Sequence, residues 1–195
     1  MKKSTLISVL CVSAIIFANA QQHDIKGLRP ISIHSTRSIK NGGDSISIDQ
    51  MVILKNKNLD FFIHDLQKSS LKLTYKRQGI PTLIQSFLES YSRNKFIIAN
   101  PGEDWNCCDD NHDENKPDRQ LICQGNDGHL FLISYLTGGV GEINHLILIQ
   151  YQDDKIIDFW TGTLWKNLKK KDDIIQYLLT NKKKHWGLNT NMISI

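Results

Sequence analysis

Beyond its first twenty residues the chain has no apolar run long enough to cross a membrane as a helix. The longest, Ile143 to Tyr151, is strand-sized against the roughly 20 residues a spanning helix needs. It has no internal repeats and no low-complexity tracts, which excludes repeat architectures and gives no compositional reason to expect wholesale disorder. It also has no dominant charge. The formal net charge of +4 falls to +2 once Lys2 and Lys3 are removed, so the whole-molecule balance selects no partner. Cysteine is scarce, at four residues in 195, and three of the four lie between 107 and 123.

Several motifs are incomplete in ways that matter. The segment "GGVG" (138–141) has no following Gly-Lys-Ser/Thr and leads into a strand, so it predicts a hairpin turn and not a phosphate loop. Asp109, Asn111, Asp113 and Asn115 alternate like the first oxygen ligands of a calcium loop. Position six of such a loop would be Glu114 where glycine is needed, and position twelve Gln120 where a bidentate carboxylate closes the site. A solvated acidic loop is the expectation there, with no cofactor beyond weak calcium. Cys107 and Cys108 are adjacent and lack C-x₂-C spacing, so with His112 and Cys123 they make a poor zinc set.

What is present begins at the N-terminus. Lys2 and Lys3 precede an uncharged, mostly apolar stretch from Ser4 to Phe17, and Ala18-Asn19-Ala20 supplies the small-x-small pattern of a signal-peptidase site. Leu10 stands where a lipoprotein signal would need a small residue before Cys11. A cleaved signal peptide (1–20) is expected, with Gln21 as the new N-terminus and export to the periplasm or medium. Residues 21–45, rich in Ser, Lys, Gly and Asn, suggest a poorly ordered arm, and 46–195 suit one domain with a core large enough to fold unaided.

The fold class expected is α+β. Asn58 is placed to cap a helix running to Lys68, with Leu59, Phe62, Ile63 and Leu66 at helical spacing. Pro81 fits the first turn of a second helix whose stripe is Leu83, Ile84, Phe87, Leu88 and Tyr91. Strand-like runs follow at 95–100, 119–123, 129–137, 143–151 and 155–162, joined by Gly- and Asp-rich links, which predicts an antiparallel meander of about four to six strands. Asp172 then caps a last helix, and the helices are expected on one face of the sheet. The unbroken run Leu146 to Ile149 implies a central strand covered on both sides.

Charge is concentrated locally. Residues 103–118 carry seven acids against one lysine, and 166–184 carry seven lysines against two aspartates. The acids disfavour a thiolate, which argues against a catalytic cysteine. A Cys107 or Cys108 nucleophile with His145 and Asp158 is the enzymatic alternative, a hydrolase or thiol enzyme. In an oxidising compartment the thiols should instead bridge, Cys123 with Cys107 or Cys108, if 104–108 and 119–123 are hairpin arms. Closing about 15 residues would be worth roughly 3 kcal/mol in the chain-entropy estimate. The function expected is therefore a non-catalytic binding module for a protein or cell-envelope polymer, without nucleic acid and without a membrane span in the mature chain. Trp160, Trp165 and Trp186 belong to the core if buried and to such a surface if exposed.

Overall fold

The computed structural model describes residues 36–41, 44–92, 95–108, 112–139, 141–184, 186–188, 193 and 195. The expected signal peptide, most of the expected arm, and Asp109 and Asn111 lie outside the described residues. No helix among the described residues is long and apolar enough to cross a membrane.

The fold is α+β. A hairpin of β1 (Thr36–Asn41) and β2 (Asp44–Asp49) leads into α1 (Gln50–Leu54) and α2 (Leu59–Lys68). A two-residue strand β3 (Leu73–Thr74) and α3 (Thr82–Tyr91) follow. The main sheet is then completed by β4 (Arg119–Asn126), β5 (Leu130–Thr137), β6 (Ile143–Gln152) and β7 (Lys155–Leu164), before α4 (Lys171–Asn181). Strand order is β3-β4-β5-β6-β7, each pair antiparallel. The links behave as their composition demands. Asp153 and Asp154 both adopt positive φ, 48° and 60°, the conformation of a tight primed turn between β6 and β7.

The β6 residues Asn144 to Gln150 are all buried, so the central strand is covered on both faces as its apolar run implies. Helices on one face alone cannot do this, and the expectation of a single helical layer is corrected accordingly. Phe131, Ile149 and Phe159 are register partners on one face, where Phe87 and Tyr91 of α3 pack against Phe159 with ring centroids 5.0 and 5.2 Å away. Leu132, Leu148 and Trp160 share the opposite face. There Trp160 Nε1 donates to Asn56 Oδ1 (2.9 Å) in the turn before α2, and Gln150 bonds Asp65 of α2. Helix α4 lies beside α2 through Lys171 Nζ to the Ser69 carbonyl (2.8 Å) and a Lys182–Asp60 ion pair. Each large apolar side chain sealed between these layers contributes about 1.5–3 kcal/mol.

The caps depart from expectation in detail. Asn58 precedes α2 but makes no capping bond; its Nδ2 donates across to Asp158 Oδ2 (2.9 Å) and the Phe159 carbonyl (3.0 Å). Asp158 Oδ1 accepts from the Phe159 amide (2.8 Å), next to a bulge in β7. Further along β7, the Thr163 amide donates to the Leu188 carbonyl (2.9 Å). Asp172 is not a cap either: α4 starts at Lys171, and Asp172 and Asp173 sit in its first turn, where negative charge meets the helix dipole favourably.

Candidate functional site

The acidic cysteine segment is organised by one side chain that no motif singles out, Asn106. Asn106 is buried, and its Nδ2 faces the carbonyls of Asp113 (2.9 Å) and Lys116 (3.1 Å) and Asp118 Oδ1 (2.8 Å). Its Oδ1 accepts from the Asp113 amide (3.0 Å), and its own amide donates to Pro117 (2.9 Å). Around this hub, Asp113 Oδ1 accepts from the Asn115 amide and Nδ2, which holds the Asp113 carboxyl below its usual range. His112 Nε2 lies 3.1 Å from Asp118 Oδ1, and Lys116 Nζ 3.4 Å from Asp104. Asp113 and Asn115 are thus engaged with each other. Among the described residues no group of three or more His, Cys, Asp or Glu is placed to hold a metal.

The expected hairpin of 104–108 with 119–123 does not form, and with it goes the Cys123 bridge. Cys108 bridges Gly139 in parallel, while Cys123 is the register partner of Ser134, five positions back along the same run. At about 3.3 Å per residue that is roughly 16 Å, beyond the ~7 Å between Cα atoms that a disulfide tolerates. Cys123 is fully buried with its sulfur 3.6 Å from the Leu168 carbonyl, and burial pushes its thiol up to about 12. Cys107 and Cys108 are exposed, with sulfurs 3.0 Å apart. Gly138 makes their docking feasible. A Cβ there would lie 2.3 Å from the Asn106 carbonyl oxygen and 2.6 Å from the Cys107 carbonyl carbon.

The Cys-His-Asp set is not assembled. Asp158 pairs with Gln150, five positions from His145, so the two are roughly 17 Å apart along the sheet and on opposite faces. Asp158 is committed to Asn58 and its neighbouring amide. His145 instead belongs to a buried polar cluster with Arg119, Tyr135 and Thr137. Register places all four on one face: Arg119 opposite Thr137, and Tyr135 opposite His145. The His145 ring stacks on Tyr135 (centroids 5.0 Å, 17° between planes), and its Nε2 is 2.9 Å from Thr137 Oγ1. Burial, reinforced by the Arg119 charge, lowers its pKa to about 4, so the imidazole is neutral at physiological pH. Burial pushes the Tyr135 phenol up, partly opposed by the Arg119 charge. Tyr135 Oη, His145 Nδ1 and Arg119 Nε are all buried without a regular hydrogen bond.

Arg119 connects this cluster to the surface. It is 9% exposed, its guanidinium carbon is 4.8 Å from the Phe96 ring centroid, and Nη2 donates to Ser92 Oγ (2.8 Å) and the Ile195 carbonyl (3.3 Å). It also lines a cleft of about 340 Å³ bounded by Lys95 and Ile97 on one side and His112, Glu114, Lys116, Pro117 and Asp118 on the other. The acidic segment folded round Asn106 therefore forms one wall. Two of the three tryptophans at issue are exposed, Trp165 at 73% and Trp186 at 61%, while Trp160 is core.

Strand alternation alone pairs Arg119 with Leu121 and Tyr135 with Thr137 on common faces; what brings them together is cross-strand register, which a single strand does not encode. Compared with known proteins, the chain matches no family model, no curated protein and no solved structure.

Proposed function

We propose that the chain is an exported, non-catalytic binding module, delivered by a signal peptide cleaved after Ala20, that engages a partner protein or cell-envelope polymer at the cleft over Arg119. The observation that carries this reading is a nearly buried arginine lining an open cleft, flanked by Lys95 and Lys116. A guanidinium fixed against an aromatic ring presents its donors with little ordering left to lose, which suits a planar acidic or amide group on a partner. Three cations, Lys95, Lys116 and Arg119, face two carboxylates in this lining, Glu114 and Asp118, and the Asp118 carboxylate is engaged by Asn106 and His112.

Charge reversal at Lys95 and Lys116, with both lysines exposed, tests the site without touching the core. The wild-type protein, immobilised and exposed to its native envelope fraction, should retain a partner that the doubly reversed variant loses by tenfold or more at equal thermal stability. Equal retention by both proteins rejects the cleft. N-terminal sequencing of the native protein should begin at Gln21; a chain starting at Met1 and recovered from cytosol rejects export.

A further inference from the structure

We infer that Cys107 and Cys108 form a dithiol modification site that closes, by exchange with a small-molecule or protein disulfide, into a vicinal disulfide. The inference does not depend on where the protein resides or on the cleft. The two sulfurs lie 3.0 Å apart, already in contact, and both residues are exposed to a reagent. The remaining cysteine of the domain is sealed in the core and roughly 16 Å along the sheet, so neither sulfur is placed to bridge it.

The backbone leading into the pair is anchored on the fold. The Cys107 amide donates to the Trp105 carbonyl (3.0 Å), a tight local turn, and the Cys107 carbonyl accepts a long bond from the Gly139 amide (3.4 Å). Asn106 anchors the residue before, and the bare Cα of Gly138 lets the Asn106–Cys107 backbone lie against the β5–β6 turn. Adjacent Cα atoms are about 3.8 Å apart across a trans peptide, closer than the 4.4–6.8 Å usual for a disulfide. Closure must therefore twist the Cys107–Cys108 peptide and disturb the weak Gly139 bond. A bond strained in this way is readily reversed, which makes the pair a labile site and not a permanent staple.

The chemistry balances without a metal or a further cofactor. One thiolate attacks a sulfur of the external disulfide and expels one thiolate, leaving a mixed disulfide. The neighbouring thiolate then attacks the protein sulfur of that mixed disulfide and expels the second. Two protein thiols are oxidised, the external disulfide is reduced to two thiols, and both protons leave with them.

The full-length protein is incubated with oxidised glutathione, denatured, alkylated without reduction and digested with trypsin. Cys107 and Cys108 share the fragment 96–119, and Cys123 lies in 120–155. The expected result is an unalkylated 96–119 fragment lighter by two hydrogens, beside an alkylated 120–155. A mild dithiol treatment should restore double alkylation of 96–119. Cys108→Ser should abolish the lightened fragment and leave Cys107 alkylated or carrying glutathione. Full alkylation of 96–119 in the wild type after oxidation overturns the inference. So does a crosslink between 96–119 and 120–155, or a stable doubly glutathionylated 96–119 fragment.

Discussion

Asn106→Ala removes the side chain about which the acidic segment is folded, and its cost can be worked from the contacts. The carboxamide faces four partners: two carbonyls, the Asp118 carboxylate and the Asp113 amide. Two N–H groups are shared among three acceptors, so about three independent bonds are lost. At about 1 kcal/mol net for a neutral bond and somewhat more for the one to a carboxylate, the sum is about 3–4 kcal/mol. Asp113 and Asp118 are only half-buried and can turn to water, which returns part of this, and a loss of about 2 kcal/mol is expected. Urea denaturation reads it as a lowered midpoint at unchanged slope, and hydrogen exchange should show the Asp113 amide losing protection. Asn106→Asp should be worse at neutral pH, since it places a carboxylate against Asp118 and two carbonyls. Its folded pKa would be raised by those neighbours, so the excess penalty is full at neutral pH and fades as acid protonates the carboxyl and restores a donor. A change below about 0.5 kcal/mol in Asn106→Ala, with the Asp113 amide still protected, would refute the hub.

Three further outcomes follow from the geometry. Because the folded pKa of His145 lies near 4 against 6.5, the unfolded chain binds its proton first. Stability should therefore rise with pH from about 4 to 6.5 and then level, by up to about 3 kcal/mol, and His145→Gln should flatten that part of a denaturation-midpoint profile; an unaltered slope would contradict it. Gly138→Ala should destabilise by about 1–3 kcal/mol through backbone overlap with Asn106 and Cys107, whereas Gly141→Ala, with nothing within 4 Å, should be nearly silent in the same thermal melts. Titration calorimetry with calcium should give no binding tighter than millimolar; a micromolar isotherm would overturn the reading of the acidic segment as a loop held by Asn106.

The elements were legible where periodicity is local. The stripe Leu59, Phe62, Ile63 and Leu66 gives α2 with all four residues buried, and the meander β5, β6 and β7 falls close to the predicted runs. Short pieces escaped: α1 has five residues and β3 two, too few for a period to show. The run 95–100 reads as a strand but contributes only the Ala99 bridge to Gln120. The placement of the cysteine segment is less legible. Its fate depends on Gly138 accepting a backbone from 106–107 at close range, a long-range steric fact that composition does not carry. The same holds for the cluster over β4 to β6, where Arg119, Tyr135 and His145 meet only because two registers agree.

The latch between Asn58 and Asp158 has a meaning beyond the strand it sits on. An outermost strand offers its main-chain groups to any second chain that drifts alongside, and long flat ones seed aggregation. On β7 those groups are intercepted from within: the Phe159 amide by Asp158, the Phe159 carbonyl by Asn58, and the Thr163 amide by Leu188. A carboxylate in the midst of an apolar strand thus helps to occupy edge groups that a second chain would otherwise find open. Neutralising it should cost solubility before it costs stability.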